Sequence, residues 1–295
     1  MNNSFSSDQL LFEQKIHAHL YNYYWKKLGL FDWQKRIDAR AKRDVSRSKI
    51  ILKAIEKVAN TQFCNSKMLD IGSGWGGFVV AANEIGMEAW GCDVDEQVIE
   101  IAKLRSKIHN VHSNYCLAKA EKLPFPDNFF DYVQCVTVLE HVEDVNKTIG
   151  EFIRVLKKGG VGFIQAPNYH QPLENHYKIL FPPMLPKTLA KIYLLLLARP
   201  YKYIDSINYI DYESVNLQLL KNNVEVTDIR TRLKQERQKL SSTAKPFFET
   251  FDSHQKLVMS YNSIVSRIMS RLKAPVIRFV EDQLHIYEIN FLIRK

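Results

Sequence analysis

Five short apolar segments alternate with segments of helical periodicity between Lys67 and Asn168. The apolar segments predict strands at residues 68–71, 88–92, 111–117, 132–137 and 161–166. The segments between them predict helices at residues 77–84, 95–107 and 144–156. Residues 157–160, two lysines followed by two glycines, are expected to end the last of these helices. Strands that alternate with helices are typical of a parallel sheet with helices on both faces, so we predict an α/β fold.

The regions on either side of this core, which we place at residues 61–168, have a different pattern. Residues 1–60 predict an N-terminal helical lid, because apolar residues recur at helical spacing and one face is basic. Residues 169–210 contain five prolines and a run of leucines, which predicts a helical insertion after strand five. Residues 211–295 are expected to complete the sheet. There we predict a helix at 212–221, a strand at 224–229, a basic segment at 230–239, helical residues to about Val280 and a strand at 285–293.

The composition is that of a globular protein. Of the 295 residues, 46% are hydrophobic and 25% are charged, which excludes a disordered or fibrous chain. The longest apolar run, residues 192–198, is too short to span a bilayer, and residues 1–9 lack the apolar core of a secretion signal. The four cysteines occur singly, as expected for reduced residues of a cytoplasmic protein. The formal net charge of +9 permits an anionic acceptor, nucleic acid or a membrane surface as a partner.

A glycine cluster lies between the first predicted strand and the first predicted helix of the core. Gly72, Gly74 and Gly77 have the spacing G-x-G-x-x-G, and Asp93 ends the next strand about 20 residues further on. Such a turn lets a ligand approach the backbone closely, and the helix N-terminus offers free N–H groups. An acid in the position of Asp93 can accept hydrogen bonds from both hydroxyls of a ribose. The pattern therefore predicts a nucleotide-type ligand.

Asp70 distinguishes between ligands of this type. It lies two residues before Gly72, at the carboxyl end of the first strand. A carboxylate there would repel the pyrophosphate of NAD, but it would attract an ammonium group. S-adenosylmethionine carries a cationic amino group and no phosphate, so we favour it as the cofactor over a dinucleotide.

Residues 69–76 (LDIGSGWG) resemble motif I of the class I S-adenosylmethionine-dependent methyltransferases. Residues 91–95 (GCDVD) resemble the acidic motif of the second strand in that family. Residues 120–131, 138–142 and 154–160 resemble later motifs, in the family's order. The resemblance extends over residues 67–168. It implies a Rossmann-like, seven-stranded, mostly parallel sheet with an antiparallel last strand, and methyl transfer as the reaction.

The resemblance also implies roles for individual residues. It places the methionine part of the cofactor beside Asp70, Gly72, Ser73 and Gly74, the ribose beside Asp93 and Val94, the adenine beside Ala120 and Glu121, and the sulfonium beside Val136. Arg47, or Arg43, is the candidate for the cofactor carboxylate, because a guanidinium offers a fork of donors. Where the family often has Gly-Asp before Ala-Glu, this chain has Ala118 and Lys119. A lysine cannot accept a hydrogen bond from the adenine amino group.

Glu140 and His141 follow the fourth strand, on the side where the cofactor is expected. Glu-His at this place resembles ubiquinone-biosynthesis O-methyltransferases, in which an acid three residues earlier completes a divalent metal site. That position is Thr137 here, so we predict no metal. A hydroxyl acceptor has to lose its proton, and His141 is the first candidate for the base. His176 is the second, because Glu174 is close enough in sequence to orient its imidazole.

Further polar residues follow the fifth strand at the same edge of the sheet, where open α/β folds bind ligands. These residues are expected to contact the acceptor, and they are Asn168, Tyr169, His170, Glu174 and Tyr177. The apolar residues after them predict either a roof over a large apolar or lipid-linked acceptor or a packed helical lid.

The leading hypothesis is O-methylation of a small-molecule, lipid- or sugar-linked acceptor, with peripheral membrane contact through the basic N-terminal and 230–239 segments. RNA methylation is an alternative because of the positive net charge, although no RNA-binding module is visible. A non-catalytic cofactor-binding subunit that activates a partner is a third hypothesis, motivated by Ala118 and Lys119. We expect no DNA partner, and the sequence leaves the oligomeric state open.

Overall fold

Seven strands form the central sheet of the computed structural model, which describes residues 7–29, 33–171, 173–174, 176–177, 179–242 and 288–295. In chain order the strands are β1 (Lys67–Ile71), β2 (Glu88–Asp93), β3 (Asn114–Leu117), β4 (Phe130–Val136), β5 (Leu156–Ala166), the separate hairpin strands β6 (Leu173–Glu174) and β7 (Ile179–Leu180), β8 (Glu225–Asp228) and β9 (Ile289–Arg294). The order in the central sheet is β3-β2-β1-β4-β5-β9-β8. Strand β9 is antiparallel to both of its neighbours, whereas the other neighbouring pairs are parallel. The predicted sheet, including its antiparallel last strand, is confirmed.

Helices lie on both faces of the sheet. In chain order they are α1 (Ser7–Leu20), a π-helix (Tyr21–Lys27), α2 (Trp33–Ala59), α3 (Gly77–Glu84), α4 (Glu96–Ile108), α5 (Val145–Val155), α6 (Lys187–Leu196), a 3-10 helix (Lys202–Ser206), α7 (Tyr212–Leu220) and α8 (Arg230–Ser242). The basic segment 230–239 belongs to α8. The helical residues predicted from 243 to Val280, and the first three residues of the predicted last strand, lie outside the described residues.

The helix stop predicted at residues 157–160 is wrong. Helix α5 ends at Val155 and β5 begins at Leu156, so the two lysines and two glycines lie within the strand. Gly159 has a φ of 76°, and the register between β4 and β5 shifts between Phe130 and Tyr132. The glycines therefore accommodate an irregularity in the pairing of β4 with β5. Glycine is common in irregular strands as well as at the ends of helices.

Alternate residues of each central strand enter two different apolar layers. In β1, Leu69 and Ile71 belong to the layer that contains residues of α1, α4 and α5, whereas Met68 belongs to the layer with α2, α3 and α8. This follows from the two-residue period of a strand, since successive side chains point to opposite faces. Burial of each such side chain contributes ~1.5–3 kcal/mol, so the sheet is held between its helices mainly by apolar contact.

The N-terminal helices are attached to the core through Arg105 of α4. This buried guanidinium donates a hydrogen bond of 2.6 Å to Asp44 of α2, and it lies 5.1 Å from the ring centre of Phe12 in α1. Two ion pairs between α1 and α4 lie further out, Lys15–Glu100 at 2.8 Å and Lys107–Asp8 at 2.9 Å. In addition, His19 of α1 packs edge-on against Trp75, which lies within the glycine turn between β1 and α3. Helix α1 therefore covers this turn, as a lid would.

The insertion after β5 meets this N-terminal lid. It contains the β6–β7 hairpin, α6 and the 3-10 helix, so it is helical only in part. The hydroxyls of Tyr23 and Tyr203 are 2.5 Å apart, and Arg199 donates a hydrogen bond of 2.7 Å to the carbonyl of Gly29. These contacts close the region above the carboxyl edge of the sheet. In the part of the chain that the structure describes, no helix has the length and apolar composition needed to cross a bilayer.

Helix α4 offers a direct test of how the loop after β2 is fixed. The Asp95 carboxylate accepts hydrogen bonds from the backbone N–H groups of Gln97 and Val98, which form the first turn of α4. Replacing Asp95 by Ala leaves these donors without a side-chain acceptor, and we expect a loss of about 0.5–2 kcal/mol in the free energy of unfolding. Urea denaturation measures this loss. The control Asp95→Asn keeps an acceptor and should stay within a few tenths of a kcal/mol of the parent; equal losses in both variants would contradict the capping role.

Candidate functional site

The turn between β1 and α3 combines a close contact with an open space. Gly72, Gly74 and Gly76 all have positive φ, at 67°, 52° and 73°, a conformation that strongly favours glycine. The backbone of Gly72 lies so close to the side chain of Val138 that a Cβ there would collide with it. A Cβ on Gly74, in contrast, would meet nothing within 4 Å. The turn is therefore packed on one side and leaves room for a ligand at Gly74.

Asp93 at the end of β2 fixes the same turn. Its Oδ2 accepts a hydrogen bond of 3.0 Å from the N–H of Gly74, and its Oδ1 accepts one of 3.1 Å from the N–H of Asp95. Burial raises the pKa of Asp93, although its backbone hydrogen bonds act in the opposite direction. This carboxylate therefore borders the open space at Gly74.

Asp70 lies beneath this turn and is fully buried. Burial raises the pKa of its carboxyl to about 7, against the hydrogen bond of 2.9 Å that Gln134 donates to it. The nearby carboxylates of Asp93 and Asp44 raise this pKa further. A cation bound in the cleft would relieve this clustering of negative charge, so the electrostatics favour a ligand with an ammonium group.

The residues predicted to lie beside the adenine already have contacts within the protein. Oε1 of Glu121 accepts hydrogen bonds from the N–H groups of Glu143 and Asp144, at 2.6 and 3.2 Å, so this carboxylate already holds the loop before α5. Ala120 is buried, and Lys119 forms an ion pair of 2.7 Å with Glu143.

Two apolar side chains beside Asp93 are unusually exposed. Val94 is 65% exposed, and Leu117, the partner of Asp93 in the β2–β3 register, is 60% exposed. A flat apolar base placed between them would cover both side chains. Sequence reasoning did not find Leu117, because an apolar residue at the end of a strand is indistinguishable from core without its exposure.

A second group of residues begins at the end of β4, where the strand order of the sheet reverses. Thr137, directly after Val136, has a φ of 55°, which is rare for a β-branched residue. The following turn places the side chain of Val138 on Gly72 and is closed by a hydrogen bond of 2.8 Å from the N–H of His141 to the carbonyl of Val138. Glu140 and His141 thus belong to the turn that packs against the glycine cluster.

The insertion brings His176 to this turn. Nδ1 of His176 is 2.7 Å from Oε1 of the buried Glu174, and Nε2 of His176 is 3.3 Å from Nε2 of His141. The other oxygen of Glu174 accepts a hydrogen bond of 2.6 Å from the N–H of Tyr177. Because a carboxylate accepts at Nδ1, the proton of a neutral His176 lies on Nδ1 and the lone pair on Nε2. Burial and the nearby His176 lower the pKa of His141 to about 4.

Buried polar atoms without a hydrogen-bond partner surround these histidines. Burial raises the pKa of Glu140 to about 7, and its Oε2 has no partner among the described residues. The same holds for the hydroxyl oxygens of Tyr169, Tyr177 and Tyr209. Leaving such a group unpaired costs about 1–3 kcal/mol, so native proteins rarely do so without a ligand or water. The cluster therefore has the properties of a pocket that receives a polar group.

Comparison with known proteins identifies the family to which this region is similar. Residues 69–164 match the family described as a methyltransferase domain. The ubiquinone/menaquinone biosynthesis C-methyltransferases UbiE of Burkholderia mallei and Burkholderia thailandensis are 34% identical over 125 residues, which are 41% of this chain and 51% of theirs. The chain thus spans about half the length of these curated relatives. The matched region holds the glycine turn, Asp93 and the turn after β4. This region is a class I S-adenosylmethionine-dependent methyltransferase domain.

Solved structures of similar shape include the YcgJ protein of Bacillus subtilis, which is 20% identical with a TM-score of 0.47 over 83% of this chain and 94% of that one. Another is the phosphoethanolamine N-methyltransferase 2 of Haemonchus contortus, 18% identical with a TM-score of 0.49 over 98% and 59% of the two chains. Both TM-scores are below 0.5, so the fold is assigned from the strand order of the sheet and not from these two structures.

The remaining predicted residues lie in different surroundings. Arg47 of α2 is half-buried close to Arg237 of α8, whose pKa is lowered to about 10 by burial and by Arg47. Asp44 lies one turn earlier in α2, and its carboxylate packs against Gly77. The side chain of Arg43 lies outside the described residues.

Asn168, predicted to contact the acceptor, is buried. Its side chain accepts a hydrogen bond from the N–H of His170, so it stabilises the turn after β5.

The histidine cluster also has the spacing of a metal site. Three possible ligand atoms lie within 4.8 Å of one another, one each from Glu140, His141 and His176. Together they could hold a metal ion. The prediction of no metal was based on Thr137, but a third donor comes from the insertion instead. Chemically, the cluster can coordinate a cation or accept a proton.

Gly72 and Gly74 permit a matched test of the cofactor turn. Both have positive φ, so alanine costs about 1 kcal/mol of backbone strain at either position. Gly72→Ala also forces Val138 away and should lower the melting temperature well beyond Gly74→Ala. We expect Gly74→Ala to fold but to lose S-adenosylmethionine affinity in calorimetric titration, because its methyl group occupies the open space. Full affinity in Gly74→Ala would place the cofactor elsewhere.

Asp70 should make the stability of the unliganded protein depend on pH. Its pKa is about 7 in the folded state, against an ordinary value of 3.8. Between these pH values the folded protein retains a proton that the unfolded chain has lost, so stability falls as pH rises from about 4 to about 7. Asp70→Asn removes this contribution. Urea denaturation from pH 5 to 8 should show a steeper decline in the parent than in the variant, and parallel curves would contradict the raised pKa.

Proposed function

We propose that the protein transfers the methyl group of S-adenosylmethionine to an oxygen atom of a small-molecule, lipid- or sugar-linked acceptor. The observation that carries this proposal is the pair formed by Glu174 and His176. The pair presents an imidazole lone pair in a pocket of unpaired polar groups, one turn away from the glycine cluster. An acceptor hydroxyl needs such a base, because it is a poor nucleophile while it carries its proton.

Each part of the chain has a separate task in this reaction. The cofactor, bound at Gly74 and Asp93, supplies an activated methyl group. His176 would accept the acceptor's proton at Nε2 during methyl transfer, and the cofactor would leave as the neutral sulfide. Glu174 holds the imidazole in the tautomer that leaves Nε2 free, and it stabilises the imidazolium that results. The hydroxyls of Tyr169, Tyr177 and Tyr209 can orient the acceptor by hydrogen bonding.

His176 is a better base than His141 in this arrangement. Burial lowers the pKa of His141 to about 4, which makes its imidazole a weak proton acceptor, and none of the carboxylates that the structure describes lies within hydrogen-bond distance of it. Its Nε2 is 3.9 Å from Glu140. We therefore assign to His141 the task of supporting the ring of His176 by edge-on packing, with the two ring centres 5.1 Å apart.

The chemical nature of the acceptor can be narrowed from the insertion and from the relatives. A lipid-linked acceptor and peripheral membrane contact fit the apolar residues of the insertion, which follow the pocket directly in the chain. The name of the UbiE relatives specifies a carbon acceptor. A carbon acid would need the same base, so the chemical identity of the methylated product decides between oxygen and carbon.

The acceptor is found with a labelled methyl group. Purified protein is first titrated with S-adenosylmethionine, and absence of binding rejects the proposal. Protein with methyl-labelled cofactor is then incubated with separate fractions of cell lipids, sugar conjugates and RNA. Label in a lipid or sugar fraction, on an alkali-stable methoxy group, supports the proposal; label only in RNA or on carbon contradicts it.

Substitution of the proposed base gives a specific prediction. His176→Ala should lower kcat by about 10²–10⁴-fold while the dissociation constant of S-adenosylmethionine changes little. Glu174→Gln should lower kcat less and shift the pH profile, because the imidazole loses its ionised partner. His112→Ala, an exposed histidine at the opposite edge of the sheet, serves as the matched control. If His176→Ala retains turnover within a few-fold, the base assignment is wrong.

Chelation separates proton transfer from metal catalysis in the same cluster. We expect turnover of the parent protein to be unaffected by EDTA, since Nε2 of His176 then accepts a proton. Loss of turnover in EDTA that is restored by a divalent cation would show instead that Glu140, His141 and His176 act as metal ligands.

A further inference from the structure

The outer face of helix α6 is apolar and exposed. Leu189, Ile192, Leu195 and Leu196 are between 52% and 80% exposed, whereas Ala190 and Leu194 on the inner face are buried. Leu197 continues the exposed face by one residue. Exposed apolar residues are common singly, but a contiguous patch of this kind on a protein surface usually marks an interaction site. We call these five exposed residues the α6 patch.

Basic side chains border the α6 patch. The segment from residue 179 to 206 contains Lys187, Lys191, Arg199 and Lys202 but a single acid, Asp205, which gives it an excess of three positive charges. Lys187 and Lys191 lie next to Asp205, with an ion pair of 2.8 Å for Lys191. Leucine on one face with lysine at its edge is the pattern of a helix that lies in the interfacial region of a bilayer.

The segment that contains α6 and the following 3-10 helix also forms part of the proposed acceptor pocket. Helix α6 packs on the 3-10 helix Lys202–Ser206. Tyr203 of this helix has its ring 5.5 Å from that of His176 and 6.1 Å from that of His141. One layer of protein therefore separates the exposed leucines from the proposed base.

We propose that the α6 patch docks on the surface of an anionic lipid bilayer and so presents a lipid-linked acceptor to the pocket at His176. The second half of this statement rests on the proposed function, whereas docking does not require catalysis. Apolar residues of the patch enter the boundary between headgroups and acyl chains, and the bordering cations pair with anionic headgroups, which attract basic segments near a membrane.

A second copy of the chain fits the patch less well. A symmetric contact through α6 would place two copies of this positively charged segment against each other, and like charges in a forming interface are unfavourable. An anionic bilayer offers the opposite charge to the same residues. The charge pattern therefore selects the bilayer as the occupant.

Vesicle flotation tests the docking. Full-length protein is mixed with vesicles of phosphatidylcholine and phosphatidylglycerol, or of phosphatidylcholine alone, and is centrifuged through a density gradient. The test variant is Ile192→Asp/Leu196→Asp, which replaces two exposed residues of the patch. The matched control is Leu217→Asp/Leu220→Asp on α7, since these leucines are also about half exposed but lie on another helix, at 56% and 49%.

We expect the parent and the α7 control to float with anionic vesicles, and the α6 variant to bind them about tenfold or more weakly. Binding should also fall in high salt, because ionic strength screens the headgroup attraction. All three proteins should retain the same affinity for S-adenosylmethionine, which shows that they are folded.

Several outcomes would overturn the proposal. They are absence of flotation by the parent, equal binding to neutral and anionic vesicles, or unchanged flotation of the α6 variant. A dimer that the α6 substitutions dissociate, without any flotation, would show that a second copy covers the patch. Flotation of a protein that methylates no acceptor would leave the docking intact and would count against the proposed function alone.

Discussion

The contact between the backbone of Gly72 and the side chain of Val138 is the constraint on which the site depends. It joins the turn after β1, where we propose that the cofactor binds, to the turn after β4, which carries Glu140 and His141. These turns are adjacent because β1 and β4 are neighbours at the point where the strand order reverses, and such a reversal opens a crevice at the carboxyl edge. Only glycine leaves room for Val138 in this position, so the cofactor turn and the reaction site are fixed together.

The proposed acceptor pocket is assembled from segments that are far apart in the chain. Tyr23 comes from the N-terminal lid, His141 from the sheet, and His176 and Tyr203 from the insertion. Their contacts leave several buried oxygens unpaired, and burial raises the pKa values of Asp70 and Glu140 to about 7. These are costs to stability in the unliganded protein, and they are concentrated where a cationic cofactor and a polar acceptor would remove them. Sites of this kind exchange stability for function.

Most of the core could be predicted because its determinants are local. Short apolar segments predict β1, β2, β4 and β5, and the glycine spacing with Asp93 predicts the cofactor turn. The prediction was wrong at residues 157–160, since glycine serves equally in a helix terminus and in an irregular strand. The absence of an acid at Thr137 was used as an argument against a metal, but ligands can come from any segment that the fold brings near.

Local sequence pattern determined the order of strands and helices, the glycine turn and the acids that border it. It even indicated that Glu174 could orient His176, because these two residues are near neighbours in sequence. Tertiary structure alone decided that His176 meets His141 across 35 positions, that Leu117 is exposed beside Asp93, and that the leucines of α6 face outward. The physical reason is that periodicity shows which residues share a face of one element. Which faces meet depends on the packing of the whole chain.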